Sequence, residues 1–162
     1  MRSASLELPC AVVLKNRLVK AAMSDSLGDG AGDPSDAQVA LYRRWARGGA
    51  ALSLIGEVQV DPVYPEKPGN LVLSPRSDEA RFRRLAYAGS EDSAHIWPQL
   101  GDAGALAHPP ISHPAGLSAL DLDALHCDAL SAKAVEALPT QYANAAWRAQ
   151  DLPWLTTRSQ SA

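Results

Sequence analysis

Hydrophobic and polar positions change period several times along the chain. Residues 17–23 read Arg-Leu-Val-Lys-Ala-Ala-Met, a short apolar run, and break into a turn-rich stretch from Asp25 to Asp33 that contains Gly28, Gly30 and Gly32. This predicts a strand followed by a long loop. Ser35 can then cap a helix, and Gln38, three positions on, can reach back to complete a capping box. Val39, Tyr42, Trp45 and Ala46 recur at helical spacing, Asp36 lies in the first turn, arginines lie toward the end, and Gly48-Gly49 stops the helix.

The run from Ala50 to Val60 is almost continuously apolar at first, as expected of a strand covered on both faces in a parallel sheet. A loop rich in proline and glycine occupies Asp61 to Pro75. Ser77, with Asp78 and Glu79 in the first turn, opens a second helix, on which Phe82, Leu85, Ala86 and Gly89 stand at i, i+3, i+4 and i+7. His95 to Leu100 predicts a third strand. The order β-loop-α-β-loop-α-β requires right-handed crossovers and parallel pairing. The predicted fold is therefore α/β, a partial TIM (β/α)8 barrel comprising its first three to four β/α units.

After Leu100 the pattern loosens through Leu120. A weak helical period returns from Ser131 to Gln150 on Val135, Leu138, Tyr142 and Ala146, with Pro139 inside it. An interior proline costs about 3 kcal/mol or kinks the helix. The expected division is a domain over 1–150 and an irregular tail over 151–162.

Composition narrows the function classes. In 162 residues, 46% are apolar and 20% charged, and the net charge of −3 supplies no electrostatic reason for a nucleic acid or an anionic membrane as partner. Arg43, Arg44 and Arg47, and later Arg76, Arg81, Arg83 and Arg84, fall within predicted helices, where they read as solvated faces. Cys10 and Cys127 are far apart and form neither a disulfide framework nor a zinc motif. With no apolar stretch approaching 18 residues, the expected location is cytoplasmic.

Several residue types that could suggest chemistry are read as structural. Trp45, Trp97 and Trp147 are expected to pack rather than stack a ligand. His108 and His113 lack companion metal ligands, so no metal is expected, and adjacent His126 and Cys127 do not face each other. Gly28 to Gly32 lacks both phosphate-loop spacings.

In a parallel barrel the working residues lie at the C-terminal strand ends: here Ala22-Met23-Ser24, Gly56-Glu57-Val58 and Gln99-Leu100. The segments Asn16 to Met23, Tyr42-Arg43-Arg44-Trp45-Ala46-Arg47-Gly48-Gly49-Ala50 and Gln99-Leu100 resemble, in order and in spacing, the successive signatures of the NADH:flavin oxidoreductase or Old Yellow Enzyme family over roughly residues 8–105. That resemblance implies noncovalent FMN at the C-terminal face. It implies that Ala22, Met23 and Ser24 line the isoalloxazine ring, with the Ser24 hydroxyl near N5 and O4. Glu57 would match the second-strand residue that contacts the flavin. Gln99 would supply the amide that donates to and accepts from the pyrimidine ring. NADH or NADPH would be the reductant and a small-molecule electron acceptor the partner; no catalytic residue is assigned.

The sequence also departs from the family. Gly101-Asp102-Ala103-Gly104-Ala105 stands where the family continues with a histidine and Gly-Arg, and Pro98 replaces an apolar strand residue. The chain ends where a fourth strand would begin, so that residues supplied by later strands have no counterpart. A barrel needs about 250 residues, and a partial one leaves unpaired edges and an exposed inner face. An alternative reading is accordingly a noncatalytic relic or interaction module that self-associates through those edges.

Overall fold

The computed structural model describes residues 3–152. In chain order the elements are β1 (Leu6–Glu7), β2 (Val13–Leu14), β3 (Val19–Lys20), α1 (Asp36–Arg47), β4 (Leu52–Gln59), β5 (Leu71–Val72), α2 (Glu79–Gly89), β6 (His95–Gly101), β7 (Ala115–Gly116), β8 (Leu120–Leu122), β9 (Leu125–Ala129) and α3 (Ala132–Asp151). β3, β4, β5 and β6 form a 4-stranded sheet in which every pairing is parallel. β6 runs along one edge of β4, so β3 and β5 share the other: Val19 and Lys20 pair with Leu52 and Ser53, and Leu71 and Val72 pair with Val58 and Gln59. Three successive strand-helix units, β3-α1, β4-α2 and β6-α3, make up the expected partial TIM barrel.

Side-chain alternation on β4 explains how the two faces are filled. Leu52 and Leu54 pack with Val12, Leu14 and Trp97 on the face that a barrel turns inward, and the β1–β2 hairpin covers its base. Ile55 instead joins Val39, Tyr42, Phe82, Leu85 and Ile96 between sheet and helices. Val58 lies in that same helix-facing layer although it is three positions on, which a regular strand would forbid. A bulge resolves the parity: Ile55 pairs with Pro98 and Val58 with Leu100, so Gly56 and Glu57 together oppose Gln99. Pro98, out of place in a regular central strand, therefore sits where the ladder is already broken and its missing donor is tolerated.

The helices start and stop largely as their sequences dictate. The Ser35 hydroxyl accepts from the Gln38 amide at 3.2 Å, and Gly48 closes α1. The reciprocal half of the expected capping box is absent, because the Gln38 side chain turns to Asp25 instead, donating to its two oxygens at 2.9 and 3.1 Å. α2 is capped by Asp78, which accepts from Ala80 and Arg81, and not by Ser77, whose hydroxyl donates to the Val72 carbonyl at 2.6 Å. Phe82, Leu85, Ala86 and Gly89 are all buried, as their spacing requires. Arg43 and Arg47 converge on Glu91 at 2.8 and 2.6 Å. Glu91's carboxyl is held below its usual range, first by the Arg43 hydrogen bond and then by Arg47.

Further expectations are corrected. The first strand is shorter than residues 17–23, comprising Val19–Lys20 and a separate parallel bridge from Ser24 to Gly56. The loop over 61–75 contains β5, and the loosely patterned region after Leu100 contains a 3-stranded sheet ordered β7-β9-β8. α3 forms straight through Pro139, capped by Ser131, but buries Ala145 and Ala149 while Tyr142 and Ala146 are exposed. Trp147, expected to pack, is 65% exposed, whereas Trp45 and Trp97 are partly buried. Residues from Pro153 onward, most of the expected irregular tail, lie outside the described residues; Asp151 still belongs to α3. Among the described residues no helix is long and apolar enough to cross a membrane.

Candidate functional site

The C-terminal ends of β3, β4 and β6 meet at Gly56. A methyl group placed on its Cα would lie 2.6 Å from Gln99 Oε1, 3.0 Å from Ala22 Cβ and 3.2 Å from the Met23 nitrogen. Three of the sequence-expected residues, from two different strand ends, thus converge on one position that has room only for hydrogen. Ser24 joins them through its parallel bridge to the same glycine. Gln99 lies on the same face of β6 as Trp97, the inward one, and its side chain is exposed. Met23 is 51% exposed. The result is a tightly packed rim at which the Met23 and Gln99 side chains are exposed.

Glu57 stands beside Gly56 in the bulge; its side chain lies outside what the structure describes. Ser24 is half-buried and its hydroxyl oxygen accepts from Asn70 Nδ2 at 3.1 Å. With that lone pair occupied, the hydroxyl retains its own proton for a further acceptor. Asn70 itself is buried, and its Oδ1 accepts from the Lys67 amide at 2.5 Å. It enters the site from the Pro68-Gly69-Asn70 turn, where only the turn chemistry was visible in the sequence.

The loop that leaves β3 is pinned on both sides. Toward β5, the Gly28 amide donates to the Gly69 carbonyl at 3.0 Å, and Gly69 sits so close to Ser26 that an added Cβ would be 2.3 Å from the Ser26 carbonyl oxygen. Toward α1, Asp25 receives the fork from Gln38 and a hydrogen bond from the Tyr42 hydroxyl. Burial raises the Tyr42 phenol far above its ordinary range, and the neighbouring Asp25 charge adds to this. Lys20 completes the cluster. Its ammonium donates to the Leu54 carbonyl at 2.9 Å and to the Tyr42 hydroxyl at 3.2 Å, and lies over the Trp45 ring at 4.6 Å. Burial lowers its pKa and the Asp25 charge opposes that shift.

Beyond the rim, Gln59 is wholly buried on β4 and its Oε1 accepts from the Ala103 amide at 3.1 Å, fixing the start of the segment after β6. Asp102 is half-buried. Burial raises its pKa, the Gly104 amide hydrogen bond opposes the shift, and the Asp61 charge reinforces it.

Fold and rim define a class: a parallel β/α barrel portion whose strand-end segments converge on Gly56. No protein-family model matches the chain. It is 37% identical over 78 residues to an NADH-dependent flavin oxidoreductase of Hypocrea jecorina, covering 48% of this chain and 19% of that protein. It is 33% identical over 105 residues to an NADH oxidase of Thermoanaerobacter brockii, covering 62% of this chain and 16% of the relative. Among solved structures, 94% of the chain superimposes on 26% of a 2-naphthoyl-CoA reductase with TM-score 0.86 and 18% identity, and on 43% of Old Yellow Enzyme from Pichia sp. AKU4542 with TM-score 0.83 and 17% identity. Over these stretches the chain is similar in sequence to NADH-dependent flavin oxidoreductases and in fold to part of the Old Yellow Enzyme barrel. It spans about a fifth of the length of the first of these relatives.

Proposed function

We propose that the rim at Gly56 binds the isoalloxazine ring of FMN, and that the chain contributes this portion of the site to an FMN-dependent oxidoreductase. NADH or NADPH would be the reductant, and a small-molecule electron acceptor such as an electron-poor alkene the substrate. The observation that carries the reading is the convergence of Ala22, Met23 and Gln99 on a glycine with no space for a Cβ. That close packing holds the strand-end segments against one another, and the exposed Gln99 amide can both donate to and accept from a pyrimidine edge. Bound there, FMN would supply the two-electron chemistry of hydride transfer. The chain's own residues would do the rest: Met23 covers the apolar part of the ring, Ser24 offers a hydroxyl proton, and Gln99 sets the orientation. Cys10 and Cys127 are both free thiols, in keeping with a cytoplasmic setting.

FMN titrated into the purified protein should show saturable quenching of flavin fluorescence, and Gln99→Leu should weaken binding by about tenfold, equivalent to ~1.4 kcal/mol. Absence of any flavin binding by the unsubstituted protein would sink the reading. One observation favours the alternative of an interaction module pairing with another chain. Among the described residues β3 and β6 each pair along one edge only, and Leu18, Val19 and Met23 leave apolar surface uncovered. A protein that takes up no flavin but associates with itself would fit that alternative.

A further inference from the structure

We propose that Asp25 is a positioning residue for the flavin-facing edge: through Gln38 and Tyr42 it ties the backbone at Met23-Ser24 to helix α1, so that the helix sets the attitude of the rim. This rests on the FMN reading of the preceding subsection. Asp25 directly follows Ser24, and it is half-buried. Its Oδ1 accepts from the Leu27 amide at 3.0 Å, closing a local turn, while the same carboxylate takes both Gln38 bonds and the Tyr42 hydroxyl. The two anchors cannot yield: Gln38 is 2% exposed and Tyr42 is fully buried in the main core, its ring edge-on to Trp45 at 4.9 Å. Gln38 forgoes the capping contact that its sequence position offers in order to make this bond, and its Oε1 is left without a partner.

Charge reinforces the geometry. Lys20, on the strand that delivers the rim, bonds the same Tyr42 hydroxyl, so a chain Lys20–Tyr42–Asp25–Gln38 runs from β3 through α1 and back to the residue after Ser24. One strand thus meets one helix twice, before and after the flavin-facing segment, and the segment Ala21 to Ser24 is held at both ends. Charged hydrogen bonds of this kind are roughly twice as strong as neutral ones. Removing one partner leaves buried polar groups unsatisfied, so the effect should be felt at the rim and not only in α1.

The test uses the full chain carrying Asp25→Ala, Asp25→Asn and Tyr42→Phe. Hydrogen exchange without flavin should quicken about tenfold at the amides of Ala22 to Gly28 in Asp25→Ala and by less in Asp25→Asn, with α2 unchanged. In the FMN complex, Asp25→Asn and Tyr42→Phe should alter the visible circular dichroism of the bound flavin and weaken binding by about three- to tenfold. Should Asp25→Ala lose its fold, the comparison stands on the other two variants, which keep side-chain shape. Unchanged exchange in 22–28, or an unaltered flavin spectrum with native affinity, overturns the assignment of Asp25. If the unsubstituted protein binds no FMN, the flavin reading falls, while quickened exchange in the variants still upholds the Asp25 tether.

Discussion

At the scale of single residues, Gly56 and Asp102 carry opposite kinds of sensitivity. Gly56→Ala places a methyl group 2.6 Å from Gln99 Oε1 and 3.0 Å from Ala22 Cβ. The Gln99 side chain can swing away, but the Ala22-Met23 backbone cannot do so without breaking the Ser24 bridge. The expected outcome is a modest loss of stability, about 1–3 kcal/mol as for other overpacked sites, with at least tenfold weaker FMN binding, read by denaturant melts and flavin titration. Asp102 is a question of sign. Its folded pKa is raised, chiefly by burial, so the fold favours the protonated acid. The stabilising contribution is complete below the unfolded carboxylate range and is lost as pH rises through the elevated folded value, leaving a charged carboxylate that is disfavoured at neutral pH. Asp102→Asn keeps an oxygen for the Gly104 amide and removes that charge. Its thermal midpoint should exceed the parent's by more at pH 7 than at pH 4, where a change of 1 kcal/mol corresponds to about 2–4 °C in a domain of this size. An equal difference at both pH values would show that the Asp102 charge is not penalised in the fold.

At the scale of elements, α3 offers a direct measure of what local rules cost. Pro139 is exposed and removes the amide that would have bonded the Val135 carbonyl, yet Ala145 and Ala149 farther along are buried against the core. Packing at one end of the helix outweighs a breaker near its middle. Pro139→Ala restores the donor and should stabilise the protein by about 1–3 kcal/mol, raising the midpoint of a thermal or urea transition. A lowered midpoint would mean that Pro139 itself is needed to seat those alanines. The same balance explains which elements could be read from the sequence. α1, α2, β4 and β6 combine a long period with a cap or a continuous apolar run, and each formed where the pattern put it. β5 has two residues, and β7, β8 and β9 have two, three and five, too few to establish alternation; their pairing comes from neighbours distant in the chain. The face of α3 was misread because alanines, not the larger Tyr142 and Trp147, pack against the sheet, and small side chains leave almost no periodic signal. Ala22, Met23, Ser24 and Gln99 were expected at strand ends because they close or adjoin apolar runs, and the structure does bring Ala22, Met23 and Gln99 to Gly56, with Ser24 bridged to it. Asn70 and the Asp25–Gln38 tether were not legible, since each depends on a contact between residues well separated in sequence.

At the scale of the whole molecule, the sheet has strong interior pairing and weak boundaries. Helices α1, α2 and α3 seal one face, where Tyr42, Phe82, Leu85 and Ile96 are fully buried. The other face is covered at its base by the β1–β2 hairpin, while Val19 and Met23 remain about half exposed and Leu54 and Trp97 only partly buried. A rotation axis parallel to the strands keeps their direction, so a second copy could set its β6 edge beside the β3 edge of the first, and vice versa, in the parallel sense that the sheet already uses. That arrangement would cover the inward faces of both and remove all the open edges of the main sheet together. Sedimentation over a wide range of protein concentration should therefore show an average mass that rises above the monomer's. Charged substitutions on the inward face, such as Val19→Lys, should lower it while leaving the helix-side core and its circular dichroism intact. A monomer at every concentration would mean that β3, with its two paired residues, is too short to act as an edge. In that case it is the brevity of β3 that protects the sheet, and Val19→Lys would change neither mass nor melting midpoint.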